Sequence, residues 1–184
     1  MRFNRHSELE GKHAFLSASK YHWIRYSDEK LANSFVTALA AARGTRLHEL
    51  AAEAITMGVK LQGRTSLAQY VNDAIGYGME PEVILQYSRN AFGTVDAISF
   101  KKNFLRIHDL KTGETRVSFD QLLVYTALFC LEYHVRPSEI KVELRIYQNG
   151  ETLVATPELD DIVHVMDKII SFDKLIERIR EEES

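Results

Sequence analysis

Three charged residues in residues 93 to 111, "GTVDAISFKKNFLRIHDLK", stand where charge is costly. With a period of two, Phe92, Thr94, Asp96, Ile98 and Phe100 fall on one side of a first strand, and Leu105, Ile107, Asp109 and Lys111 share a side of a second. An ionised carboxylate in apolar surroundings costs several kcal/mol unless it is paired or binds a metal. Lys111, one strand-step beyond Asp109, can supply a cation. The polar "KKN" between the runs reads as a hairpin turn. Strands paired that way lie roughly 5 Å apart, close enough for both acids to share a divalent ion. Carboxylates with few other ligands suit Mg²⁺ or Mn²⁺. From these residues alone, D-x-K can equally be a surface ion pair, with Asp109 marking the strand's exit and "KTG" an ordinary turn.

Other residues can join this group. "GTRLHELAAEAI" puts His48 on a helix flanked by Ala51, Ala52 and Ile55, a wall of small residues that lets a sheet edge approach. It is then a candidate ligand, or a half-buried histidine bonded to backbone. Glu49 and Glu53 are expected to face solvent. Gln121 and Tyr125, four apart in "DQLLVY", share a helix face and can hold a substrate backbone. Ser118-x-x-Gln121 also has the form of a capping box, and Tyr125 that of an aromatic core residue with a bonded hydroxyl.

The elements that must position these residues read as follows. Residues 1 to 14 are expected to be irregular, with Ser17 or Ser19 a cap ahead of "KYHWIRY". Helical spacing follows Asp28, a second helix starts near Gly44 and Thr45 and ends by Gly58, and shorter helices are expected after Thr65 and after Pro81. Strands are expected at about 92 to 100 and 104 to 111, and a helix from Phe119 to about Tyr133. "KVELRIYQ" and "ETLVAT" then flank Asn149-Gly150, a two-residue hairpin signal. From Pro157 onward, apolar residues repeat as an amphipathic helix. This order predicts an α/β (α+β) chain, a small mixed sheet flanked by helices. The expected organisation is one domain over 1–184, with a helical region 1–43, a core 44–156 and a terminal helix 157–184.

With 184 residues, 45% of them hydrophobic, the chain can close a substantial core. Its one cysteine, Cys130, excludes a disulfide framework or thiolate cluster and fits a cytoplasmic protein. The first residues lack a signal-peptide core, and no apolar run approaches a membrane span, so no membrane partner is expected. The net charge is −3, and nine acids against four bases give −5 from Pro157 onward, which leaves +2 for residues 1–156.

In order along the chain, "GTRLHE", "GTVD", "DLKTG" and "QLLVY" resemble the motifs of the PD-(D/E)XK nuclease superfamily, in its RecB, lambda-exonuclease and CRISPR-adaptation-nuclease branch. There a helix-borne histidine precedes a G-x-x-D strand, a D-x-K strand and a Q-x-x-x-Y helix. "KHAFLSASKYHW" is also similar to the opening of a phage and prophage group with this signature. The resemblance implies a restriction-endonuclease-like core and a metal-dependent DNA nuclease, chiefly an exonuclease of phage-type replication, recombination or repair. It implies that His48, Asp96, Asp109 and the Leu110 carbonyl bind Mg²⁺ or Mn²⁺, that Lys111 orients or helps deprotonate the attacking water, and that Gln121 and Tyr125 place the DNA strand. Related iron–sulfur members carry cysteines near the two ends. With Cys130 alone, no iron–sulfur cluster is expected.

Candidates for a basic track along DNA are Arg43 and Arg46, Lys101 and Lys102 in the hairpin turn, and Lys60 and Arg64. Each is also readable as a solvated surface charge. The rival reading is a non-catalytic DNA-binding or assembly subunit on the same scaffold, with a homo-oligomer or a recombination protein as further partners. RNA or branched DNA would use the same site.

Overall fold

The computed structural model describes residues 14–183. The irregular start expected over 1–14 lies outside them except for Ala14. The architecture is mixed α/β, a five-stranded sheet with helices packed on it. The chain falls into two compact units, Met1–Arg43 and Gly44–Ser184.

In the first unit a 3₁₀ stretch spans Ala18–Arg25. Ser17 is its N-cap residue without a side-chain capping bond; its carbonyl accepts from Trp23 Nε1 at 2.9 Å. Helix α1 runs unbroken over Asp28–Met57, where two helices were expected. Gly44 costs an α-helix about 1 kcal/mol relative to alanine, too little to end one without a proline or a capping turn.

In the second unit, α2 (Ser66–Tyr77) is capped by Thr65, whose side chain accepts from the Ala68 N–H. The helix expected after Pro81 is instead strand β1, Glu80–Ser88. β1 is an edge strand, where the missing proline N–H costs no ladder bond. Val83 and Leu85 alternate onto the core from it. β2 (Ala91–Lys101), β3 (Phe104–Leu110), β4 (Lys141–Gln148) and β5 (Glu151–Ala155) follow, with sheet order β1-β2-β3-β4-β5. All neighbours are antiparallel except β3 and β4, whose parallel crossover is α3, Asp120–Glu132. The expected terminal helix is α4, Leu159–Glu182. Among the described residues no helix is long and apolar enough to cross a membrane.

Both sheet faces are covered. Leu105 and Ile107 of β3 and Leu144 and Ile146 of β4, with Leu122 and Leu128 of α3 and Ile162 of α4, build one core. Ala51, Ala54 and Ile55 of α1 and Tyr70, Val71 and Ala74 of α2 build the other against Ala97, Leu110 and Tyr147. The sheet is therefore a slab buried on both sides at its centre, which is why residues of both faces of β3 are buried, Leu105 and Ile107 on one side and Leu110 on the other.

His108 sits in the second face, fully buried. Tyr147 donates its hydroxyl proton to Asp73 Oδ2 at 2.7 Å, which leaves His108 Nδ1–H to donate to the Tyr147 oxygen at 3.2 Å. Nε2 is buried without a partner. Burial first, and then the nearby Arg145 and Arg106 cations, push its pKa down to about 3. The folded chain keeps this histidine neutral to about pH 3, whereas an unfolded histidine takes a proton near 6.5, so the unfolded state binds more protons between these values. Stability should therefore fall on acidification through that window, by at most about 1.4 kcal/mol per pH unit from this group. In urea titrations at a series of pH values, His108→Asn should flatten that slope.

Candidate functional site

The site lies at the C-terminal end of β3, where the parallel pairing with β4 runs out and α3 begins. Asp109 pairs with Ile146 and Leu110 with Tyr147, and the Lys111 N–H extends the ladder with a bond to the Tyr147 carbonyl at 2.9 Å. The backbone of D-x-K is thus held by the sheet itself.

Asp109 is 3% exposed, and Lys111 compensates its charge. Lys111 Nζ donates to Oδ1 at 3.1 Å and lies 3.0 Å from Oδ2, which is buried and receives no aligned hydrogen bond. Burial chiefly, then the Asp96 charge, hold the Asp109 carboxyl above its usual range, while Lys111 and His48 oppose the shift.

Asp96 receives two donors on one oxygen. The Leu110 N–H reaches Oδ2 at 3.0 Å, and His48 Nδ1 lies 3.3 Å from the same atom. Hydrogen bonding to Asp96 outweighs burial and raises the His48 pKa. Of the expected wall, Ala51 and Ile55 are buried within two turns of the histidine, Ala52 is half-buried, and Ala54 is buried with them. Glu49 and Glu53 are exposed, as read from sequence.

Gln121 and Tyr125 do share a face of α3, turned toward the same charges. Gln121 Oε1 accepts from Lys111 Nζ at 2.8 Å, and its Nε2 donates to the Tyr125 hydroxyl at 3.2 Å. Tyr125 donates in turn to the Thr94 carbonyl at 2.6 Å. The capping-box form of Ser118 and Gln121 is not realised, because Ser118 bonds Asp120 and Phe119 is the N-cap residue. Gln121 is thereby free to hold the lysine. With its hydroxyl proton committed to backbone, Tyr125 is a brace.

Two glycines of the motifs permit this closeness. A Cβ on Gly93 would stand 2.9 Å from Tyr125 Cε1, and one on Gly44 would stand 2.9 Å from Thr112 Oγ1, in the loop after the lysine. Side-chain-free positions on β2 and α1 let the helix ring and the D-x-K loop approach.

One residue escaped the sequence reading. Glu82 of β1 brings its carboxylate to the site, and a donor atom from each of His48, Glu82 and Asp96 lies within 4.8 Å of the others. Its φ of 53° is left-handed, and the strand alternation changes there: Val95 joins one core and Ala97 the other. The continuous face expected from Phe92 to Phe100 is therefore broken, with Phe92 and Thr94 exposed and Ile98 buried. Glu82 was read as part of a helix after Pro81, so its place opposite Asp96 had no sequence signal beyond a strand-like "EVILQY".

The basic residues are not gathered here. Lys101 donates to the Tyr77 and Gly78 carbonyls at 2.9 and 3.0 Å, closing the end of α2. Lys101 and Lys102 stand at the start of β3, roughly 20 Å from Asp109 at about 3.3 Å per residue. Arg46 is exposed on α1; Arg43 belongs to the first unit. Lys60 and Arg64 are exposed between α1 and α2.

The donor group His48, Glu82 and Asp96, two carboxylates with one imidazole, fits a divalent ion; the predicted ligand Asp109 is not part of that close group, its Oδ2 lying buried beside Lys111 Nζ. Replacing Gly93 by alanine should force the Tyr125 ring aside and cost about 1–3 kcal/mol in equilibrium unfolding. The loss should shrink in a Tyr125→Ala background, where the collision is gone. Comparison with protein-family models, curated proteins and solved structures yields no match for this chain.

Proposed function

We propose that this chain is a divalent-metal-dependent deoxyribonuclease that hydrolyses phosphodiester bonds, acting at DNA ends or on single strands in phage-type replication, recombination or repair. One observation carries the reading: His48, Asp96, Asp109, Lys111 and Gln121, drawn from two helices, two strands and a loop, meet through direct contacts and shared charge at one end of the sheet. The restriction-endonuclease-like arrangement implied by the ordered motifs agrees with the mixed sheet and its β3–α3–β4 crossover.

His48, Asp96, Asp109 and the Leu110 carbonyl would hold Mg²⁺ or Mn²⁺. Such an ion, when bound, polarises the scissile phosphate and lowers the pKa of the attacking water. The protein's own contribution is orientation and charge. Lys111 is held from two sides, by Asp109 and Gln121, so its ammonium is fixed before substrate arrives. From there it would orient the water and stabilise charge developing on the phosphate. Gln121 lies in the first turn of α3, and a helix N-terminus favours phosphate. The Tyr125 bond to Thr94 keeps that helix on β2, so Gln121 and the acids hold a constant spacing. Arg46, exposed on α1 two residues before His48, would be available for phosphate contact.

The reading is tested by incubating linear, closed circular, single-stranded and gapped DNA, and RNA, with Mg²⁺, Mn²⁺ or chelator. Cleavage of linear DNA should require the metal, and Asp109→Ala and Lys111→Ala should each reduce it by about 100-fold or more. Digestion of linear but not closed circular DNA identifies exonuclease action. Cleavage that survives both substitutions overturns the assignment, and the absence of any Mn²⁺ binding favours a non-catalytic DNA-binding subunit.

A further inference from the structure

We propose that Glu82 is a cation ligand of this site, forming with His48 and Asp96 a three-donor set that takes Mn²⁺ in preference to Mg²⁺. The inference rests on the nuclease reading and adds to it a residue that lies outside all four ordered motifs.

Glu82 comes from the edge strand. The flanking pairs Pro81–Ala97 and Val83–Val95 bracket it against Asp96. Two ligands on one first-row ion, each at about 2.1 Å, stand about 4 Å apart or less, so donor atoms already within 4.8 Å need only side-chain adjustment. The three differ in origin and chemistry: an imidazole from α1, a carboxylate from β1 and another from β2. Asp109 supplies an independent indication. Its Oδ2 is buried without an aligned hydrogen bond, with Lys111 Nζ at 3.0 Å as its charge partner. Glu82 on β1 stands across from Asp96 on β2, with His48 as the third donor. Glu82 is exposed, and among the described residues its carboxylate makes no hydrogen bond, so it is open to an ion shared with His48 and Asp96.

The backbone supplies a control. With φ at 53°, Glu82 occupies a conformation that glycine adopts without strain. Removing the side chain there should not harm the metal-free fold, which separates a ligand role from a structural one. The mixed nitrogen and oxygen set decides the metal preference, since imidazole suits Mn²⁺ better than Mg²⁺.

The test is calorimetric titration of Mn²⁺ and Mg²⁺ into the full chain and its Glu82→Gln and Glu82→Gly variants, with thermal unfolding followed in chelator. The chain is expected to bind Mn²⁺ more tightly than Mg²⁺. Both variants should weaken Mn²⁺ binding by about 10-fold or more, while the metal-free Tm stays level, or rises by a few degrees in Glu82→Gly. Unchanged Mn²⁺ affinity in the folded Glu82→Gly variant overturns the role of Glu82 and leaves the nuclease reading standing. Failure of the unsubstituted chain to bind Mn²⁺ overturns both.

Discussion

The buried carboxylate of Asp109 sets the terms for everything around it. A charge taken out of water that far must be compensated, and Lys111 two residues on does so. A lysine side chain has four flexible bonds, so the pair alone would not fix the ammonium in space. Gln121 closes that freedom from α3, Tyr125 fixes Gln121, and the Thr94 carbonyl fixes Tyr125. The chain of bonds starts at one desolvated acid and ends on the backbone of the neighbouring strand. Each member is needed because the one before it would otherwise be unsatisfied or mobile.

The sheet supplies the frame. Parallel pairing of β3 with β4 continues one bond past Leu110, so the lysine leaves the ladder in a defined direction. On the other side of Asp109, the Leu110 N–H is given to Asp96. A single dipeptide unit therefore ties β3 to β4 through backbone and to β2 through a side chain. The break in alternation at Glu82 and Asp96 completes the arrangement. There the edge of the sheet changes which face it presents, and acids from two strands meet the histidine of α1. Left-handed backbone at a non-glycine residue is costly, and Glu82 adopts it within a strand, whereas Lys102, Asn103 and Asn149 do so in turns.

Much of this was legible because period and spacing are local properties. Alternation identified β2 and β3, the turn "KKN" their pairing, and Asn149-Gly150 the β4–β5 hairpin. Spacing of four put Gln121 and Tyr125 on one face. Other features did not follow from local pattern. Gly44 and Thr45 read as a boundary, yet α1 passes through them, and the glycine serves a close approach by Thr112. Pro81 read as a helix start, because sequence does not reveal that its segment forms a sheet edge where a missing N–H is harmless. That Lys101 would also bond the carbonyls at the end of α2 had no local signal.

By itself the sequence determined the mixed order of elements, the helix-borne His48 and the acids of β2 and β3, because periodicity and charge placement are written in neighbouring residues. Only the tertiary structure decided which groups act on one another: that Gln121 holds the lysine in place of capping its helix, and that Glu82 stands across from Asp96. The physical reason is range. A local pattern assigns a residue to a face, whereas the desolvation and pairing that make a site depend on groups dozens of positions away, brought together only by the packing of the sheet.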